Sequence, residues 1–210
     1  MSKLLLLTSS PREKRSRSTA VAKAFAEACR KARPELEVVE KNVFEMDLPP
    51  FDGYALQAKY NIMHSRVHTP RELRAWSAVE RLIEEFAAYD FYVVAAPMWN
   101  FSIPYRLKHY IDLICQPTYT FESLPGGAYQ GLIQGKAATI YARGGSYPEN
   151  TPAAAFNHQS PYLDFILGFM GLTVDASIFV EMTLADQITR EARLDAAMAQ
   201  AEELGAAFCS

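Results

Sequence analysis

Three short stretches carry side chains and backbone suited to binding a ligand. The first, Ser9-Ser10-Pro11-Arg12-Glu13-Lys14-Arg15-Ser16-Arg17-Ser18, holds four serines and three arginines in ten residues. Hydroxyls and guanidinium groups beside a helix start suit an anion, because the first-turn N–H groups lack partners and the helix dipole is positive there. Neither G-x-G-x-x-G nor G-x-x-x-x-G-K-[ST] occurs in the chain, so a dinucleotide fingerprint and a nucleotide-hydrolysing loop are not indicated. A monophosphate fits this loop, and so does plain solvation with a serine cap. The second stretch, Pro97-Met98-Trp99-Asn100-Phe101-Ser102-Ile103-Pro104, has the composition of a wall for a flat apolar ligand, with Asn100 offering directed polar contacts. Tucked under a neighbouring helix, it would look the same. The third, Ala142-Arg143-Gly144-Gly145, lets backbone approach a ligand closely.

Other signals carry less. His64 and His68 stand four apart, the spacing of two ligands on one helix face, but no adjoining Glu or third ligand accompanies them. Cys115 ends an amphipathic stretch with no partner His in view and reads as buried. No G-x-S-x-G elbow is present. The aromatics Tyr162, Phe165, Ile166 and Phe169 read as core or as a dimer contact.

These stretches must be positioned by something, and the chain supplies it. Its 210 residues suit one α/β domain over 1–210, half of them apolar and about a fifth charged. A formal charge of −3 with both signs mixed gives no support to a nucleic-acid or anionic-membrane binder. Three lone cysteines, Cys29, Cys115 and Cys209, show no C-x-x-C spacing and suit a reducing compartment. Leu4–Leu7 is too short for a signal-peptide core of about 7–15 apolar residues, and no stretch nears the roughly 20 needed to cross a bilayer. A soluble cytosolic protein is expected.

An unbroken apolar run predicts a buried parallel strand at Lys3–Thr8, shorter apolar segments predict strands at Phe91–Ala96, Lys136–Tyr141 and Val174–Val180, and alternation predicts another at Leu36–Val43. Between them, Ser18 is placed as the cap of a helix closed by Pro34, and Pro70 opens one with Leu73, Trp76, Val79, Ile83 and Phe86 on its apolar stripe. Further helices are predicted from about Pro104 to Cys115, around Tyr162–Phe169 ahead of Gly171, and from about Asp186 to Phe208. Residues 44–69 show no period and read as a long functional loop. Five strands alternating with helices predict a parallel sheet covered on both faces. Periodicity alone leaves open whether the order is 2-1-3-4-5 or a Rossmann-type one. With 2-1-3-4-5, the strand order reverses between strands one and three, and all three chemical stretches leave strand ends there.

The run APMWNFSIPYRLKHYIDLI with Tyr119-Thr120-Phe121 after it, SSPREKRSRS, ARGG and SPYLDFILGFMGLT occur together and in order over most of the chain. In this the chain resembles the FMN-dependent NADH-azoreductase and NAD(P)H:quinone oxidoreductase family of flavodoxin-like enzymes, whose hallmark after the third strand is Pro-Met-Tyr-Asn-Phe. The resemblance implies a flavodoxin-like fold with sheet order 2-1-3-4-5, FMN as cofactor and NADH or NADPH as electron donor. By position it implies that Ser10, Ser16, Arg17 and Ser18 hold the FMN phosphate and that Met98, Trp99, Asn100 and Phe101 line the isoalloxazine. Ala142, Arg143, Gly144 and Gly145 would then meet the pyrimidine side of the ring. Tyr54 and Tyr60 from the long loop, with Tyr119 and Phe121, are expected to line the substrate site, the loop doing so in its own chain or across a dimer. Two departures stand out: Trp99 replaces the family's tyrosine, widening the aromatic wall, and Ala142 replaces a serine, removing one hydroxyl.

The implied reaction is a two-electron ping-pong transfer from the nicotinamide to a quinone or azo compound, with no catalytic side chain needed because the flavin carries the chemistry. The expected assembly is a homodimer. The alternatives are a reductase for another acceptor such as a nitroaromatic, a flavodoxin-type electron carrier, and a non-flavin phosphate-binding domain.

Overall fold

The computed structural model describes residues 2–209. In chain order its elements are β1 (Lys3–Thr8), α1 (Arg17–Ala32), β2 (Glu37–Asn42), α2 (Gly53–Met63), α3 (Pro70–Ala87), β3 (Phe91–Pro97) and α4 (Tyr105–Ile114). Then follow β4 (Phe121–Ser123), β5 (Tyr129–Gly131), β6 (Lys136–Ala142), α5 (Ser160–Phe169), β7 (Thr173–Val180) and α6 (Gln187–Phe208). The main sheet is parallel with order β2-β1-β3-β6-β7. Setting aside the separate antiparallel hairpin β4-β5, this is the expected 2-1-3-4-5.

The two-residue period of a strand sends alternate leucines of β1 to opposite faces. Leu4 and Leu6 join Val93, Ala95, Ile140 and Ile178 under α1 and α6, where Val21, Phe25, Ala201 and Phe208 meet them. Leu5 and Leu7 join Tyr92, Val94 and Tyr141 under α3, α4 and α5, against Trp76, Phe86, Leu107, Ile111 and Leu163. Each fully buried Val, Leu, Ile or Phe among them contributes about 1.5–3 kcal/mol. Two apolar layers thus clamp the sheet, and every connection out of its carboxyl edge is forced to one end.

Several expectations need correction. The cap of α1 is Ser16, whose hydroxyl accepts the Thr19 N–H at 3.4 Å; Ser18 lies inside the first turn instead. Residues 44–69 are not all loop, since Asp52 caps α2 by accepting the N–H groups of Tyr54 and Ala55. That helix buries only Ala55, Ala58 and Asn61, so small and polar residues, spaced by three, leave no apolar period to read. On α3, where Thr69 and Glu72 form a reciprocal capping box ahead of Pro70, Leu73 is exposed and Leu82 takes its place in the buried stripe. On α5 the buried residues are Ser160, Leu163 and Leu167, while Phe165 faces out. The β4-β5 hairpin was not expected; its strands are three residues each and turn through Gly126 and Gly127, both near φ +80° (82° and 83°).

Along one face α1 and α6 run in close contact. A Cβ on Gly205 would lie 2.5 Å from the Phe25 carbonyl oxygen, so only glycine permits this approach. The Phe25 and Phe208 rings meet edge to face at 5.2 Å beside it.

Candidate functional site

At the carboxyl edge of the sheet, the loop after β1 is stitched to β3: the N–H and hydroxyl of Ser9 both donate to the Ala95 carbonyl, at 3.1 and 2.7 Å. Ser10, Ser16 and Ser18 are buried within it. The Ser10 hydroxyl accepts the Arg12 N–H at 3.3 Å, and the Ser16 hydroxyl stands 3.3 Å from that of Ser18. As the first two residues of α1, Arg17 and Ser18 present N–H groups with no intrahelical acceptor.

A crevice of about 410 Å³ opens here, lined by Ser10, Ser16, Ser18, Arg12, Arg17 and Arg190 at one end. Pro97, Met98, Trp99, Ala142, Gly144, Thr183 and Leu184 line the rest. No Asp or Glu belongs to the lining. Arg17 Nη1 and Arg190 Nε are buried without a hydrogen-bond partner among the described residues. Buried donors of this kind are rare in folded proteins because leaving one unmade costs about 1–3 kcal/mol. Three cations, three hydroxyls and a helix start with no opposing carboxylate form a site for a strongly charged anion.

The loop after β3 is held by Met98 N–H donating to the Ala142 carbonyl at 2.8 Å. Trp99 and Ser102 exchange N–H···O bonds at 2.9 and 3.0 Å, and this tight exchange drives Asn100 and Phe101 to φ 47° and 70°. Left-handed backbone is tolerated by Asn but costs about 1–3 kcal/mol at a residue such as Phe, and such strain concentrates at binding sites. The bend leaves the N–H groups of Asn100 and Phe101 without acceptors among the described residues. The Trp99 ring packs against Phe44 at 5.6 Å and Tyr105 at 6.3 Å. A second crevice of about 380 Å³ continues past it, lined by Trp99, Asn100, Ser102, Ile103, Tyr105, Lys108 and Tyr162.

In the third turn, Arg143 points inward and is 3% exposed. Its guanidinium donates to Ser160 Oγ at 2.7 Å and Gln159 Oε1 at 3.0 Å, reaches Glu181 Oε1 at 3.4 Å and lies 4.4 Å above the Phe179 ring. Burial pulls its pKa below the usual value, and the neighbouring Glu181 carboxylate opposes this. Its N–H donates to Val180 and its carbonyl accepts from Thr183, so Arg143 is committed to holding the turn. Gly144 and Gly145 accept from Leu184 and Met182, while their own N–H groups donate to nothing among the described residues.

The structure therefore brings Ser10, Ser16, Arg17, Ser18, Met98, Trp99, Ala142 and Gly144 to one crevice, with Asn100 next door. Phe101 turns its ring to Phe156 at 5.4 Å, and Gly145 sits behind Gly144 against the Tyr147 ring. The four aromatics expected at a substrate site lie elsewhere within the chain. Tyr54, on α2, accepts from Arg71 at 3.0 Å; Tyr60 is exposed on the same helix. Tyr119 donates to Glu80 at 2.6 Å and accepts from Trp76 Nε1 at 3.1 Å, and Phe121 packs on Phe169 at 4.6 Å. From the long segment it is Phe44, not either tyrosine, that reaches Trp99. Arg190, Thr183 and Leu184 went unnoticed in the sequence because they follow the fifth strand, away from any motif.

The family model for the flavodoxin-like fold matches residues 2–204. A protein of Desulfotalea psychrophila named FMN-dependent NADH:quinone oxidoreductase is 42% identical over 205 residues, covering 97% of this chain and 96% of its own. One of the same name from Nitratidesulfovibrio vulgaris is 43% identical over 210 residues, covering 99% and 100%. Among solved structures, an azoreductase from Bacillus anthracis superposes with a TM-score of 0.89 at 26% identity, over 99% of this chain and 100% of that one. Sheet order, strand-end geometry and end-to-end likeness agree, and the chain belongs to the flavodoxin-like family and, within it, to the group formed by these relatives.

Proposed function

We propose that the protein is an FMN-dependent NADH:quinone oxidoreductase that also accepts aromatic azo compounds. One observation carries the reading: an acid-free crevice that joins three buried serines and two unpartnered arginine donors to an aromatic loop and a diglycine turn. A flavin mononucleotide matches that polarity, with a dianionic phosphate for the hydroxyl and guanidinium end and a flat ring for the other. Bound FMN supplies the two-electron chemistry, accepting hydride from a nicotinamide and passing it to the acceptor.

The chain's own residues do the rest. Ser10, Ser16, Arg17 and Ser18 hold the phosphate. Met98, Trp99 and Asn100 wall the ring, and the free N–H groups of Gly144, Gly145, Asn100 and Phe101 are donors for negative charge on its polar edge. Such preset dipoles stabilise charge without reorganising as it develops. Trp99, Phe44 and Tyr105 exclude water from one side, and the adjoining crevice with Tyr162 and Lys108 receives the acceptor. NADH is the preferred donor: its relatives of over 40% identity carry it in their names.

The working assembly in this reading is a homodimer. Its support is exposed aromatics in two groups, Phe101 with Phe156 by the ring loop and Phe165 with Tyr129 around Phe169 of α5, since exposed apolar patches mark association surfaces. A reducing, cytosolic setting is supported by Cys29, Cys115 and Cys209 being free thiols; no helix among the described residues is long and apolar enough to cross a membrane.

The test is purification with FMN, a visible spectrum, and steady-state NADH oxidation with menadione and with an azo dye. A yellow protein with turnover and parallel double-reciprocal lines is expected. NADH oxidation no faster than with free FMN would reject the enzyme and favour an electron carrier.

A further inference from the structure

The anion end of the crevice includes a group supplied by neither the serine loop nor the aromatic loop. Arg190 belongs to the first turn of α6, where the helix dipole disfavours a cation. Its Nε is nonetheless buried and without a partner among the described residues. Glu191, its neighbour in the chain, accepts from Gln187 Nε2 at 2.8 Å, and two acids that precede it are engaged as well. Asp186 accepts from Thr189 N–H at 3.0 Å and Thr189 Oγ1 at 2.7 Å. Glu181 accepts from Arg143, Ser146 Oγ and Tyr147 N–H. Arg17 Nη1, on α1, is buried and unpartnered in the same way, and both arginines line the one crevice. Because α1 and α6 are locked together at Gly205 and Phe25, the two guanidinium groups are carried on mutually rigid supports. A cation set against the dipole, with a buried donor left open and no acid in the crevice lining, is what a bound anion would complete.

We propose that Arg190 and Arg17 form a two-sided clamp for a doubly charged phosphate monoester, so that α6 contributes a cofactor-binding residue and the site selects phosphorylated over unphosphorylated flavin. This rests on the flavin reading above. Arginine keeps its charge at all working pH, whereas a phosphate monoester gains its second charge near pH 6. The clamp therefore strengthens as pH rises through that value, and more so with two guanidinium groups than with one.

The experiment is fluorescence titration of the apoprotein with FMN and with riboflavin at pH 5.5 and 7.5, for the native protein, R190Q and R190K. In R190Q, FMN affinity is expected to fall tenfold or more at pH 7.5, with riboflavin affinity held within twofold and the pH dependence flattened; R190K should fall between. Unchanged FMN affinity in R190Q overturns the clamp, as does an equal loss for both flavins, which would mark a structural role. Should the native protein bind neither flavin, the flavin reading fails on its own, and inorganic phosphate followed by 31P NMR decides the clamp. Phosphate binding that R190Q abolishes would sustain it, and no phosphate binding would end it.

Discussion

Arg143 offers the sharpest test of the structural reasoning, because its place in the Ala-Arg-Gly-Gly turn suggests a ligand contact while its geometry makes it a support. Replacing it with Met keeps much of the volume and removes the charge. Three donated bonds are lost, to Ser160, Gln159 and Glu181, together with the stacking on Phe179. Breaking a buried pair from one side costs about 3–5 kcal/mol. Glu181 is not stranded, since its side chain is 25% exposed and keeps Ser146 at 2.6 Å and the Tyr147 N–H at 3.3 Å. Gln159 likewise keeps its bond to the Ala96 carbonyl at 2.8 Å. The loss should therefore sit at the low end, about 3 kcal/mol. At about 2–4 °C per kcal/mol for a chain of this size, R143M should melt about 6–12 °C lower. Urea denaturation of the apoprotein gives the free energy, and a separate FMN titration at low temperature gives the affinity. The reasoning would be refuted if R143M melted like the native protein yet bound FMN more than tenfold weaker, because Arg143 would then be a ligand contact.

Two further outcomes follow from close contacts and burial. Gly205→Ala forces a methyl against the Phe25 carbonyl at 2.5 Å; overpacking of this kind should cost about 1–3 kcal/mol, read as a lower urea midpoint, and an unshifted midpoint would deny the α1–α6 contact. Burial pushes the Cys115 thiol up to about 11, against a smaller opposing pull from Lys59. The raised value means that the neutral thiol dominates below pH 11 and reactivity climbs with pH. Alkylation by iodoacetamide at pH 8, followed by mass spectrometry on the native protein, should run about two hundredfold slower, by thiolate fraction, than for a free thiol of pKa about 8.5. A rate profile with its midpoint near that ordinary value would contradict the burial.

Much of this protein is legible from its residues alone. The central strands β1 and β3 are near-continuous apolar runs, and a run of leucines such as Leu4–Leu7 has few fates other than the middle of a covered parallel sheet. With strands and helices alternating, right-handed crossovers left few orders, and 2-1-3-4-5 was what the family resemblance implied among them. The serine loop and the aromatic loop were legible only as candidates: a serine also serves as a helix cap, as Ser16 does, and it was their shared place at the strand ends that pointed to a ligand. What resisted were features whose signal is not periodic. The buried face of α2 is two alanines and an asparagine, and the strands of the hairpin are three residues each.

Only the tertiary structure decided which way the polar groups of the site face. Sequence fixes that Arg143 lies in the diglycine turn and that Arg190 opens a helix, but a guanidinium on a long flexible stem reaches whatever its neighbours leave open. Gln159, Ser160 and Glu181 draw Arg143 inward, while Glu181, Asp186 and Glu191 are engaged by neighbours of their own, leaving Arg190 to the crevice. The same holds for Tyr119, taken up by Trp76 and Glu80, and for Phe44, which reaches Trp99 across the loops. Backbone course follows from local pattern and apolar period, whereas the partner of a long polar side chain is settled by residues far away in sequence that packing brings within hydrogen-bond range.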